Sequence, residues 1–127
     1  TEVEAVLAAA KDGGWGRVVA VFQPHRFSRT AEVHAGFAGS FVNADVVVVT
    51  DIFASGEAPV AGVTGKLVAD AVLAVDPSSH VVFLPQREDL VTYLMSTLRA
   101  GDLCLTLGAG DLTTLPDELI LQLAGER

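Results

Sequence analysis

The run Gln23-Pro24-His25-Arg26-Phe27-Ser28-Arg29-Thr30 gathers residue types that bind an anion. Between positions 13 and 31 the chain carries three of its eight cations, Arg17, Arg26 and Arg29, and no acid, a local inversion in a protein of net charge −8. Arg26 and Arg29 stand three apart, directly ahead of a helix that Ser28 or Thr30 would cap. Guanidinium forks and free backbone N–H groups would there converge on a carboxylate or a phosphate. Two solvated arginines paired with surface acids are the competing reading. His25, whose charge changes near neutral pH, would donate to the same anion or tune it, or would simply cap a turn.

A second candidate is Gly108-Ala109-Gly110-Asp111, which follows the apolar Leu107. Glycines after a strand let backbone N–H groups approach a ligand, although a tight strand-to-helix turn explains them equally. The full dinucleotide pattern is missing, because Thr113 stands where the third Gly or Ala belongs, and this disfavours a self-contained dehydrogenase. A third is the long loop over residues 51–62, in which Asp51 or Glu57 would orient an amine or a metal-bound water, or serve as an ordinary loop carboxylate. Gly65-Lys66 does not complete a phosphate-binding loop, since Val60 and Leu67 occupy the positions that need Gly and Ser or Thr. His25, His34, His80 and Cys104 have no metal-ligand spacing, so no metal site is expected, and His34 and His80 are read as structural.

These loops need a frame, and the hydropathy pattern supplies one. Apolar runs at 17–22, 45–50, 80–84 and 103–107 lack alternation, as strands buried on both faces do. Helical spacing separates them: Val3, Val6, Leu7 and Ala10 after a capping box at Thr1 and Glu4; Phe37, Ala38 and Phe41; Val68, Ala71, Val72 and Val75; Val91, Leu94, Met95 and Leu98. Leu119, Ile120 and Leu123 form a last helix with Pro116 in its first turn. The order αβαβαβαβα predicts one α/β domain over residues 1–127, a three-layer α/β/α Rossmann-like sandwich with a mostly parallel sheet of four to six strands. Ligands in such sheets bind beyond the carboxyl ends of the strands, where all three loops fall.

Composition narrows the function. Half the residues are apolar and 19% are charged, enough for a core on both faces of a sheet. An acidic chain with pI near 4.6 does not suit nucleic acid or an anionic membrane surface. No apolar stretch reaches the ~20 residues that span a bilayer, and no signal segment leads the chain, so a cytoplasmic location is expected. The single Cys104, inside an apolar run, reads as a small core residue.

Taken together, Phe22-Gln23-Pro24-His25-Arg26-Phe27-Ser28-Arg29-Thr30, then Asp51-Ile52-Phe53-Ala54-Ser55-Gly56-Glu57, then Gly108-Ala109-Gly110-Asp111 resemble the C-terminal domain of the Mur ligase family, in order and over nearly the whole chain. Phe27-Ser28 stands where the family commonly has Tyr-Thr, and Phe53 where Tyr is common. The resemblance implies a three-domain, ATP-dependent ligase of peptidoglycan precursor synthesis. ATP would phosphorylate the lactyl carboxyl of UDP-N-acetylmuramate, and the amine of L-alanine would attack the acyl phosphate. It implies further that a central domain holds ATP and Mg2+, that an N-terminal domain holds the UDP sugar, and that this domain supplies amino-acid binding without a catalytic residue of its own. His25, Arg26 and Arg29 would hold the L-alanine carboxylate and adjacent anions. Asp51, Glu57, Gly108, Ala109, Gly110 and Asp111 would stand at the pocket edge. The alternative from another class is a non-enzymatic α/β module that binds a nucleotide or an acidic metabolite.

Overall fold

A computed structural model describes residues 2–108 and 110–125. The elements run α1 (Glu2–Lys11), β1 (Arg17–Phe22), α2 (Phe27–Val33) continued by a 3₁₀ turn (His34–Phe37), β2 (Val46–Val49), α3 (Lys66–Val75), β3 (Val81–Phe83), α4 (Arg87–Thr97), β4 (Asp102–Leu107), a 3₁₀ turn (Gly110–Thr114) and α5 (Leu115–Gly125). The four strands form one parallel sheet in the order β3-β2-β1-β4. This is the α/β Rossmann-like sandwich that the alternation of periods predicts.

Burial follows position in the sheet. The inner strands β1 and β2 are covered on both faces, and all four valines of β2 are buried, whereas the edge strands β3 and β4 are half-buried. Alternate side chains of β1 and β2 feed two cores. Val18, Ala20, Phe22, Val47 and Val49 pack with Leu7 of α1 and with Val68 and Val72 of α3. Val19, Val21, Val46 and Val48 pack with Leu90 and Leu94 of α4 and Leu115 and Leu119 of α5. Each fully buried aliphatic side chain contributes about 2 kcal/mol, so the inner strands anchor the sheet.

Three expectations need correction. The helix after β1 occupies 27–33, not the segment around Phe37, Ala38 and Phe41, where the chain runs through a 3₁₀ turn and tight turns. Those phenylalanines share a face because they cluster on Phe22, with ring centroids 5.0 Å (Phe37) and 5.4 Å (Phe41) away. Leu98 lies past the end of α4, and on α5 only Leu119 of the expected apolar trio is buried, Ile120 being 63% and Leu123 47% exposed. Thr1, the expected cap of α1, lies outside the described residues. Cys104 sits half-buried against the second core, where desolvation pushes its thiol up to about 11. Among the described residues no helix is long and apolar enough to cross a membrane.

Candidate functional site: an arginine loop held across the sheet edge

Parallel pairing of β1 with β2 does not stop at the carboxyl edge. Past Phe22 and Val49 the two chains meet again: the Phe53 amide donates to the Pro24 carbonyl at 2.9 Å, and the Arg26 amide donates to the Phe53 carbonyl at 2.8 Å. The Phe53 ring stacks on the His25 imidazole, centroids 5.9 Å apart and planes 13° from parallel. Arg26 adopts φ 65°, ψ 142°, a region that side chains rarely occupy. Its carbonyl accepts the Thr30 amide at 3.1 Å and the Thr30 hydroxyl at 2.8 Å. Arg26 is thus gripped on both sides of its Cα, which is the condition under which such strain persists.

The N-terminus of α2 is not free for a ligand, contrary to expectation. Glu57, reaching back from the long loop, accepts the Ser28 amide at 3.1 Å and the Ser28 hydroxyl. Neither Ser28 nor Thr30 caps the helix: Ser28 is spent on Glu57 and Thr30 on its own preceding turn. The Ser28 hydroxyl, then the Ser28 amide, hold the Glu57 carboxyl below its ordinary range, with the Arg26 charge adding to the effect. Any capacity to hold an anion at this edge therefore lies with the side chains. Arg26 and Arg29 are exposed and make no ion pair among the described residues. Arg17 drops out of the site, because it lies at the amino end of β1, where its guanidinium forks onto Asp102 at 2.6 and 3.0 Å and caps the Thr97 carbonyl at 2.8 Å.

The remaining candidates divide between binding edge and framework. Asp51 Oδ1 accepts the amides of Ile52 (2.9 Å) and Gly65 (3.3 Å), closing the neck of the long loop. Gly108, at φ 138°, lies against the Gln23 backbone, and Gly110 lies so close to Phe53 that a Cβ would stand 2.5 Å from the ring. Asp111 accepts the Gln23 side-chain amide at 2.7 Å. Ala109 lies outside the described residues. His34 Nδ1 donates to the carbonyls of Thr30 and Ala31, each at 3.1 Å, and His80 pairs with the Tyr93 hydroxyl at 3.1 Å.

Strand order reverses at β1, since the chain runs outward through β2 and β3 and then returns to add β4 on the other side. A crevice opens at such a reversal. Here it is a cleft of about 680 Å³ lined by His25, Arg29 and Gly108 with apolar support from Val3, Phe22 and Leu107. Arg26 and Glu57 stand outside it, and Asp51 and Asp111 line a separate recess of about 140 Å³ beneath Gln23. Sequence reasoning missed Phe53, Gln23 and Arg87, of which the last donates to the Asp111 carbonyl at 2.9 Å. Gln23 and Phe53 did stand within the motifs quoted from the sequence, whereas Arg87 belonged to none.

Fold and site together define a doubly wound α/β module that presents exposed guanidinium groups beside a largely apolar cleft. Residues 1–110 match the family model described as Mur ligase, glutamate ligase domain, and the chain belongs to the Mur ligase family. It is 46% identical over 123 residues to a UDP-N-acetylmuramate--L-alanine ligase of Desulforamulus reducens, covering 97% of this chain and 26% of the relative. It is 52% identical over 128 residues to the protein of that name from Kineococcus radiotolerans, covering 100% and 26%. The chain thus spans about a quarter of the length of these relatives. Among solved structures it resembles a domain of a Haemophilus ducreyi protein described as a UDP-N-acetylmuramate:L-alanyl-gamma-D-glutamyl-meso-diaminopimelate ligase, with TM-score 0.61 and 20% identity over 96% of this chain and 81% of that one. This last likeness concerns the fold.

Proposed function

We propose that the chain is the amino-acid-binding domain of a three-domain ligase that joins L-alanine to UDP-N-acetylmuramate in the cytoplasm, as a step of peptidoglycan precursor synthesis. The observation that carries the site assignment is the pair of exposed arginines at the carboxyl edge, without an ion pair among the described residues and one of them held in a strained backbone state. In this reading Arg26, Arg29 and His25 receive the L-alanine carboxylate and nearby anionic oxygens, the exposed guanidinium groups giving charge-assisted, forked hydrogen bonds. The pocket edge is formed by Gly108, and Asp51 and Glu57 shape the loop rather than touch the substrate. ATP and Mg2+ are assigned to the central domain and the UDP sugar to the N-terminal domain. Among the described residues no three His, Cys, Asp or Glu side chains gather as a metal site would require.

The reaction has two steps. A carboxylate oxygen of the sugar's lactyl group attacks the terminal phosphorus of ATP, releasing ADP and forming the acyl phosphate. The alanine nitrogen then attacks the acyl carbon, the new C–N bond forms, the C–O bond to phosphate breaks, and the nitrogen loses a proton. This domain contributes geometry: holding the amine against the acyl carbon converts an encounter into an intramolecular step, an effect worth ~7 kcal/mol or more. The relatives support this reading over that of a non-enzymatic binding module.

The test is phosphate release by the full-length polypeptide containing this segment, with ATP, Mg2+ and UDP-N-acetylmuramate, with and without L-alanine. Release that needs both sugar and amino acid is the expected outcome, and no release under any of these conditions would overturn the ligase. In the active enzyme Arg26→Ala raises the KM for L-alanine on the order of thirtyfold, the worth of a charged hydrogen bond to a carboxylate. An unchanged KM removes Arg26 from the site.

A further inference from the structure

Arg87 opens α4, on the face of the sheet opposite α2, and its guanidinium bonds to three different residues. Its Nε pairs with Glu118 at 2.8 Å, one terminal nitrogen donates to the Asp111 carbonyl at 2.9 Å, and the other to the Thr114 hydroxyl at 2.9 Å. The fork therefore fixes the 3₁₀ turn Gly110–Thr114 from both ends. That turn is in contact with the arginine loop through two paths. Gly110 abuts the ring of Phe53, whose carbonyl holds the Arg26 amide and whose ring stacks on His25. Asp111 receives the side-chain amide of Gln23, the residue that begins the arginine loop.

The Gln23 amide tightens the second path. Its nitrogen faces two acceptors, the Asp111 carboxylate and the Asp51 carbonyl at 3.4 Å, so its orientation is dictated and Oε1 is left buried without a donor. Gln23 is 7% exposed, and water cannot easily replace the bond to Asp111 if the turn moves away. Strain at Arg26 supplies the reason for such support: a residue at φ 65° relaxes unless its surroundings over-determine it.

We propose that Arg87 is a positioning residue for the arginine loop: by pinning the Gly110–Thr114 turn against Phe53 and Gln23, it keeps Arg26 and His25 in the geometry that accepts the amino-acid carboxylate. The proposal rests on the function proposed above for what is bound. What is held rests on the contacts alone. Lysine in place of Arg87 keeps a charge beside Glu118 but cannot donate at once to Asp111, Thr114 and Glu118. The fold is thereby spared while the pin is lost.

The experiment compares Arg87→Lys and Arg87→Ala with wild type in the full-length enzyme. It reads steady-state kinetics in each substrate and hydrogen–deuterium exchange of the Arg26 and Phe53 amides, the two that bridge the loops. The expected result in both variants is a rise of about tenfold in the KM for L-alanine, with kcat within about threefold of wild type. The KM for ATP and for the UDP sugar stays put, and exchange at the two amides quickens. Wild-type kinetics and exchange in both variants overturn the proposal. So does an equal rise in all three KM values with a lowered melting midpoint, which marks a purely structural role. If wild type itself shows no L-alanine-dependent turnover, the ligase reading fails, and the exchange arm alone decides whether Arg87 pins the loop.

Discussion

The carbonyl of Phe53 accepts the amide of Arg26 at 2.8 Å, and this bond holds Arg26 at φ 65°, ψ 142°. Such a conformation costs a side-chain-bearing residue about 1–3 kcal/mol, and glycine adopts it freely. Arg26→Gly removes the strain but adds about 1 kcal/mol of chain entropy to the unfolded state, so the net gain in stability is about 1 kcal/mol. Urea denaturation reads the gain, and the KM for L-alanine reads the accompanying loss of the guanidinium. A variant that is both less stable and fully active contradicts the account.

Glu57 carries a pH dependence of definite sign. Its folded carboxyl is held below the ordinary 4.5 by the Ser28 hydroxyl and amide. The stabilisation it provides is therefore present above pH 4.5 and disappears as pH falls from there through the lowered folded value. Wild type exceeds Glu57→Gln in unfolding midpoint at neutral pH, and the two curves converge as pH falls through the lowered folded value and wild-type Glu57 becomes neutral. Parallel curves over that range would exclude a capping role for the carboxylate.

Gly65 is required for space. Its φ of −59° suits any residue, but a Cβ there would stand 2.1 Å from the Thr50 carbonyl oxygen and 3.0 Å from the Phe83 ring. Backbone cannot yield as a side chain can, and Gly65→Ala costs about 3 kcal/mol. Gly36→Ala, where nothing lies within 4 Å, stays within about 0.5 kcal/mol of wild type. Chemical denaturation of the pair separates crowding from a general intolerance of glycine replacement.

Cys104 should be inert. With its thiol raised to about 11, mainly by burial and secondarily by the charge of Asp102, only ~0.1% is thiolate at about pH 8. Alkylation of the native protein is expected to lag far behind that of the urea-unfolded chain, and equal rates would place the sulfur in solvent.

Much of this was legible from residue types alone. The valine run Val46–Val49 reads as an inner strand because nothing polar interrupts it, and all four side chains are buried. The loops carrying Arg26 and Arg29 follow from the parallel order of the strands. What was not legible depends on approach in space. Glu57 lies 29 residues from Ser28, so no local pattern marks it as a cap. Phe37 and Phe41 carry helical spacing, yet three phenylalanine rings gathering on one another produce the same interval without a helix. Arg17 joined the cationic cluster in the linear count, but a strand separates its end of the sheet from the arginine loop. Ala109 and Thr1, both used in the sequence argument, lie outside the described residues.

One carboxylate at the neck of the 51–65 loop has an evolutionary consequence. Because Asp51 ties Ile52 and Gly65 together at the base, the intervening chain hangs from the sheet like a cartridge in a socket. Near its start Ile52 is buried, Phe53 is held by the arginine loop and Glu57 by the start of α2. Beyond Glu57 the stretch through residue 62 is exposed, so insertions and deletions there leave the strands in register. A lineage can therefore recut this exposed stretch without having to solve the folding problem a second time.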